Sequence, residues 1–115
     1  MNKLAKDVLL RATQLIADKT RWIRYTGFRI GPSGPTHFYC ALGAIELARM
    51  ELGAHAHTGN VVVDALRQTL RRKGHNRGVA AYNDDDSTTH KDVKEAFCET
   101  VKRECCGDTE LEKGA

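Results

Sequence analysis

Cys40 is the residue in this sequence whose type and position suggest chemistry most directly. It follows the aromatic stretch from His37 to Tyr39 and precedes a run of small residues, so the pattern places it near the N-terminus of a helix. Free backbone N–H groups and the helix dipole stabilise a thiolate at such a position. With His37 as base and Asn83 or Asp84 to orient the imidazole, the chain contains the side chains that a cysteine hydrolase or transferase needs.

A structural role for Cys40 is the competing interpretation. Cysteine is a small and readily buried side chain, and the neighbouring Gly43 and Ala44 favour close packing of this helix against another element. The other candidate bases are His55, His57 and His75. None of the candidate histidines falls inside a convincing strand, which is where papain-like cysteine hydrolases usually hold theirs. The sequence therefore favours packing over catalysis, and exposure of the Cys40 sulfur would decide the question.

Basic residues are concentrated at the end of one predicted helix and in the loop that follows it: Arg67, Arg71, Arg72, Lys73 and Arg77. Such a patch can contact phosphates, or instead an acidic protein surface. No aromatic residues are interleaved for base stacking, and the sequence lacks a helix-turn-helix signature. Basic residues near a helix C-terminus are also favoured by the dipole of that helix. Nucleic-acid binding is therefore an alternative prediction for this patch.

Two further patterns resemble metal sites without matching one. The stretch from Asn83 to Asp86 clusters oxygens that suit Mg²⁺ or Ca²⁺, but it lacks the spacing of an EF-hand loop. His55 and His57, completed by Cys98 or Cys105, could contribute to a zinc site, yet no standard zinc spacing such as Cys-x-x-Cys is present. A solvated turn explains the first pattern and two loop histidines explain the second. We predict no metal and no other cofactor.

The composition is that of one small globular domain. The chain has 115 residues, of which 41% are apolar and 29% charged, with a mild net charge of +3. No apolar run approaches the roughly 18 residues that a membrane helix needs, and charged residues interrupt the N-terminus where a signal peptide would be apolar. The four cysteines are then expected to stay reduced. We predict a cytoplasmic protein that does not enter a membrane.

Hydrophobic spacing predicts four helices. The first runs from residue 3 to about residue 23, the second from about Tyr39 to Leu52, the third is capped by Asn60, and the fourth opens at a capping box formed by Thr89 and Asp92. Glycines and prolines between the first two helices predict an irregular segment or a short β-hairpin. The fold class is therefore mainly α, with one domain over residues 1–107 and a disordered tail over 108–115.

Three short motifs follow one another along the chain: Cys40-Ala41-Leu42-Gly43-Ala44-Ile45, Tyr82-Asn83-Asp84 and Thr89-His90-Lys91-Asp92-Val93. Their order resembles a family of small, uncharacterised bacterial and phage proteins, over roughly Leu4 to Val101. Tyr82 departs from the pattern, because tryptophan is more frequent before the Asn-Asp pair. The resemblance implies a helical or nearly helical domain of bacterial or viral origin, and it implies no reaction.

A small binding or regulatory module is the function that these observations favour, such as a phage or mobile-element accessory protein that engages a host protein. The reasons are the small size, the lack of a complete catalytic or cofactor motif, and the resemblance. A cysteine enzyme that uses Cys40 and a nucleic-acid-binding protein that uses the residues from Arg67 to Arg77 are the alternatives.

Overall fold

The computed structural model describes residues 1–24, 28–30 and 37–106 of the chain, and the tail predicted for 108–115 lies outside these residues. Within them the chain forms five α-helices: α1 (Lys3–Ile16), α2 (Ala41–Glu51), α3 (Ala56–Arg72), α4 (Val79–Asp84) and α5 (His90–Val101). The predicted mainly α class is confirmed. The predicted number of helices was too low by one, because α4 has only six residues and is too short to show a periodic pattern.

The first helix is shorter than the sequence predicted. Asn2 caps its start by accepting a hydrogen bond from the Ala5 N–H at 2.9 Å, and the helix ends at Ile16. Asp18 then caps a short 3₁₀ turn over Lys19–Arg21 through its bond to the Thr20 N–H. Trp22, which the spacing assigned to the helix, follows this turn in extended backbone. An aspartate that can bond the backbone locally competes with helix formation, which explains the early end.

Two three-residue strands precede the second helix. The strand β1 (Phe28–Ile30) pairs antiparallel with β2 (His37–Tyr39), and the residues between them lie outside the described part of the chain. Tyr39 is 1% exposed, and its hydroxyl donates to the carbonyl of Leu15 at 2.7 Å. The carbonyl of Tyr39 accepts from the Ile23 N–H at 3.0 Å. These bonds fix β2 against the end of α1, and so fix the entry to α2.

Small residues allow α2 to sit close to its neighbours. It contacts α1, α3, α4 and both strands, and its buried residues include Gly43, Ala44 and Ala48. The hydrophobic core is built mainly from α1, α2, α3 and α5, and its largest fully buried apolar side chains are Leu9, Ile16, Ile45, Leu66, Leu70 and Phe97. Because α1 packs against α2, α3 and α5, the helices enclose one core.

The start of α5 agrees with the prediction and that of α3 does not. The hydroxyl of Thr89 accepts from the Asp92 N–H at 3.2 Å, and the Asp92 carboxylate accepts from the Thr89 N–H at 3.0 Å, so the predicted capping box is confirmed. The third helix begins one turn before Asn60. His55 caps it, because its Nδ1 accepts from the His57 N–H at 3.0 Å.

The end of α5 is tied to α3 by a buried polar cluster. The hydroxyl oxygens of Thr69 and Thr100 are 2.7 Å apart, and both residues are buried. After α5 the chain continues as a π-helical turn over Lys102–Cys106. Arg103 in this turn donates to the Thr69 hydroxyl at 2.5 Å and to the Ala65 carbonyl at 2.7 Å.

Candidate functional site

Cys40, which the sequence predicted near the N-terminus of a helix that begins at about Tyr39, is the N-cap residue of α2. Its Sγ accepts a hydrogen bond from the Gly43 N–H at 3.5 Å, and the residue is only 6% exposed. Burial raises the pKa of the Cys40 thiol, and this effect outweighs the backbone hydrogen bonds that lower it. At neutral pH the side chain is therefore a buried neutral thiol, whereas a nucleophilic cysteine is exposed and readily ionised.

Asn83 brings the second predicted motif to the start of α2. Its Oδ1 accepts from the backbone N–H of Ala41 at 3.0 Å and from the indole Nε1–H of Trp22 at 2.8 Å. Its Nδ2 donates to the carbonyl of Ile23 at 3.2 Å and to the carboxylate of Asp84 at 3.1 Å. Asn83 is 0% exposed, and these four bonds use both acceptor sites and both donors of its amide.

Cys40, Asn83 and Asp84, which the sequence offered as catalytic candidates, lie in one region of the structure. The Asp84 carboxylate contributes to the raised pKa of the Cys40 thiol, so its charge opposes formation of a thiolate. The Asn83 amide is fully occupied by the protein itself and has no capacity left to orient an imidazole. Within the described residues, these side chains connect helices and do not activate the Cys40 thiol.

The candidate histidines lie at different places in the fold. His37 belongs to β2, and its side chain is outside the described part of the structure. His55 caps α3. The ring of His75 packs against Tyr82 with the ring centroids 4.7 Å apart. A catalytic pairing with Cys40 through His37 stays a prediction.

Trp22 and His90 are organising residues whose roles the sequence did not reveal. The indole ring of Trp22 lies between the guanidinium of Arg24, 4.8 Å from the ring centre, and the ring of His90, whose centroid is 5.9 Å away. His90 is buried, and its Nε2 lies 2.7 Å from the carbonyl of Ile16. Trp22, Asn83 and His90 thereby connect the end of α1 to α2, α4 and α5. An indole that bonds an asparagine 61 positions away leaves no local signal.

The two sequence patterns that resemble metal sites do not form one within the described residues. Asp84 accepts a bond from Asn83, and Asp85 accepts from both the N–H and the hydroxyl of Ser87. These Ser87 bonds lower the pKa of the Asp85 carboxyl. The part of the chain that the structure describes contains no group of three or more histidine, cysteine or acidic side chains that could hold a metal ion.

Ion pairs divide the basic cluster into two residues that are paired and three that are not. Arg67 pairs with Asp64, and Lys73 pairs with Glu99 at 2.7 Å. Within residues 1–24, 28–30 and 37–106, the side chains of Arg71, Arg72 and Arg77 form no ion pair, and all three residues are exposed. Arg71 and Arg77 attract the carboxylates of Asp64 and Asp85 electrostatically, but without a contact at ion-pair distance. The guanidinium groups therefore remain able to bond a partner.

A pocket of about 260 Å³ lies where the α3–α4 and α4–α5 connections meet, and we call it the corner pocket. Arg77 and Asp85 line it and are exposed, while Tyr82 is half-buried and Thr88 is buried. Gly74 and Gly78 shape it, since both have positive φ values, 93° and 101°, that other residues rarely adopt. The sequence showed a glycine-containing turn beside Tyr82, but the pocket also needs α4, which was not predicted.

A wider groove of about 520 Å³ runs between α2 and α3, past Leu42, Ile45 and Val63. The charged side chain in its lining, Glu46, already pairs with Arg49. This groove therefore lacks the unpaired charges that the corner pocket has beside it.

The comparisons with known proteins name no activity. No curated protein and no solved structure has significant similarity to the chain. In the described residues, no helix has both the length and the apolar character required to span a bilayer. A family model matches residues 1–103, which is most of the chain, and the protein therefore belongs to DUF6197, a family of unknown function.

Proposed function

We propose that this protein is a small binding module that engages another protein through one surface, the basic corner. The basic corner consists of Arg71, Arg72 and Arg77 together with the corner pocket. The observation that carries the proposal is that three exposed arginines without ion pairs in the described residues lie on, or within three positions of, the loop that lines this pocket. Arg77 thus adds charge to the concavity itself, and Arg71 and Arg72 lie at the end of the helix that leads into it.

The interior supports this proposal over the cysteine-enzyme alternative. Cys40 is buried with a raised thiol pKa, and the Asn83 amide bonds only to other parts of the chain. The most distinctive residues of the sequence thus stabilise the junction of α2 and α4, which leaves function to the exterior. A bacterial or phage origin and a cytoplasmic location belong to the same proposal, and they rest on the sequence.

The charges around the basic corner favour a protein partner over nucleic acid. Asp85 lines the corner pocket, and Glu99 lies against Lys73. A phosphate backbone presents a continuous line of negative charge, which these two carboxylates would repel. A folded protein or a peptide can place its acidic residues selectively on the arginines.

Differential capture tests the proposed function. The wild-type protein, immobilised and incubated with a nuclease-treated extract of the cells that carry its gene, is compared with two triple variants. The corner variant carries Arg71→Glu, Arg72→Glu and Arg77→Glu. The lysine control variant carries Lys3→Glu, Lys6→Glu and Lys19→Glu. These substitutions change the net charge by the same amount as the corner variant, but they lie in α1 and just after it.

We expect a specific protein to be retained by the wild type and by the lysine control variant, and to be lost from the corner variant. Retention of the same proteins by all three baits would contradict the proposal. Material that the wild type retains from an untreated extract, and no longer retains after nuclease treatment, would instead support the nucleic-acid alternative. Circular dichroism of each variant shows whether its helices are intact.

A further inference from the structure

We infer that the partner contributes a short acidic segment, with its carboxylates on the arginines of the basic corner and one large uncharged side chain in the corner pocket. This inference rests on the proposed function and specifies the chemistry of the partner at the same surface. It follows from three observations: which charges are already compensated, where the charged groups lie around the pocket, and how large the pocket is.

The first observation concerns the compensated charges. Arg67 and Lys73 are paired with acids of the protein itself, so binding a partner there would first require breaking an existing ion pair. Arg71, Arg72 and Arg77 have no ion pair to break within the residues that the structure describes. The guanidinium group is planar and binds a carboxylate through two parallel hydrogen bonds. Carboxylates of a partner are therefore the complementary groups.

The second observation is that the charged groups lie at the exposed part of the pocket. Arg77 and Asp85 are exposed, whereas Ala81 and Tyr82 are half-buried and carry no charge at neutral pH. Burial raises the pKa of the Tyr82 hydroxyl, which keeps the phenol neutral. A charged side chain pushed past the rim would lose its hydration against this neutral wall. An apolar or aromatic side chain would gain by losing contact with water there.

The third observation is the size of the pocket. Its volume of about 260 Å³ greatly exceeds the roughly 30 Å³ that a single water molecule occupies in the liquid. One large side chain fits in this space, whereas a helix or a strand does not. The partner segment is therefore anchored at one position. Arg77 at the pocket, and Arg71 and Arg72 at the end of α3, select its charge pattern.

Short labelled peptides test the inference directly by fluorescence anisotropy with the purified full chain. The first peptide has four glutamates around a central leucine, the second has glycine in place of the leucine, and the third has four lysines around the leucine. A single-stranded oligonucleotide serves as the nucleic-acid comparison. The proteins are the wild type, the corner variant, the lysine control variant and Ala81→Trp, which fills the corner pocket.

We expect the glutamate–leucine peptide to bind the wild type and the lysine control variant equally, and the corner variant at least about tenfold more weakly. The glycine peptide should bind about tenfold more weakly than the leucine peptide, because one large apolar side chain is no longer buried. In Ala81→Trp this preference for leucine should disappear while the dependence on glutamate persists. The lysine peptide should not bind.

Equal binding of the glutamate–leucine peptide to the corner variant and the lysine control variant would overturn the inference. So would tighter binding of the oligonucleotide than of any peptide, or an unchanged preference for leucine in Ala81→Trp. The capture experiment separates this failure from failure of the proposed function. If a protein is captured through the basic corner but no acidic peptide binds, the proposed binding function is supported and the chemistry inferred for its partner is wrong.

Discussion

The side-chain oxygen of Asn83 accepts a hydrogen bond from the backbone N–H of Ala41 at 3.0 Å, between residues 42 positions apart. The first backbone N–H groups of a helix have no hydrogen-bond partner within the helix. The Asn83 oxygen therefore supplies a partner for one such N–H group of α2. In this chain the Tyr82-Asn83-Asp84 motif is thereby bonded to the helix start at Cys40. One motif supplies the acceptor that the other requires.

Replacing Asn83 with alanine should lower the free energy of unfolding by about 3 kcal/mol or more, because several polar groups lose their partners together. The indole N–H of Trp22, the N–H of Ala41 and the carbonyl of Ile23 would each lose a bond. Urea denaturation followed by tryptophan fluorescence measures the change. A loss below about 1 kcal/mol would show that water replaces the amide easily.

Asn83→Asp is the matched control for this substitution. Aspartate keeps the shape of the side chain and can still accept from Ala41 and Trp22. Its second oxygen, however, would face the carbonyl of Ile23 and the carboxylate of Asp84, where the Asn83 amide donates. We expect this variant to be at least as unstable as Asn83→Ala at pH 7, because a buried carboxylate would meet two acceptors.

Cys40 should resist thiol reagents in the native protein, while Cys98 reacts. Cys40 is buried and the pKa of its thiol is raised by that burial, whereas Cys98 is exposed on α5. Since the thiolate is the reactive form, both the burial of Cys40 and the raised pKa of its thiol protect it from the reagent. Iodoacetamide labelling at pH 7.5 followed by peptide mass spectrometry should find Cys98 modified first, and Cys40 modified only after denaturant is added.

Faster modification of Cys40 than of Cys98 would contradict this prediction and would restore the enzyme alternative.

The variant Cys40→Ser separates packing from capping at the same position. A serine hydroxyl can accept from the Gly43 N–H as the sulfur does, so the free energy of unfolding should change by less than about 1 kcal/mol. Cys40→Val fills similar space without an acceptor, and it should be less stable than Cys40→Ser.

The Thr69 hydroxyl should be worth more to stability than the Thr100 hydroxyl that it contacts. Thr69 accepts from Arg103 at 2.5 Å, so Thr69→Val would remove the partner of a guanidinium N–H as well as the contact with Thr100. Thr100→Val removes the contact with Thr69 and a bond to the Ala96 carbonyl, and leaves Arg103 in place. We expect Thr69→Val to cost about 2 kcal/mol and Thr100→Val about half as much. Thermal denaturation of both variants measures the difference, and the reverse order would contradict it.

Local signals in the sequence predicted the parts of this fold whose partners lie nearby. The capping box of Thr89 and Asp92 needs only residues three positions apart, and Cys40 was placed at a helix start because the residues around it change character there. Asp18 also acts locally, but hydrophobic spacing around Trp22 continued past it and outweighed this signal. The end of α1 was therefore placed too late.

The candidate site depends on long-range contacts that no local pattern carries. Asn83 bonds the backbone of α2 and of Ile23, which lie 42 and 60 positions away in the chain. The sequence identified the arginines of the basic corner, but not that Glu99 compensates Lys73 from a position 26 residues away. Which basic residues form an ion pair and which do not becomes visible only in the packed structure, and the proposed function rests on this distinction.

The capping box at α5 predicts a pH dependence of stability that can be assigned to Asp92. Its hydrogen bond from the Thr89 N–H holds the pKa of the Asp92 carboxyl below its ordinary value, which is about 3.9. A carboxyl whose pKa is lower in the folded state stabilises the fold fully above its unfolded pKa, and this contribution is lost as the pH falls through the folded pKa.

We therefore expect Asp92→Ala to lower the free energy of unfolding by about 1 kcal/mol at pH 6. Urea denaturation of both proteins at a series of pH values should show this difference shrinking steadily below about pH 4. Glu95→Ala, an exposed acid on the same helix, is the control and should change stability little at pH 6. A difference between wild type and Asp92→Ala that stays constant from pH 6 to well below pH 4 would mean that the charge of the carboxylate contributes nothing to the cap.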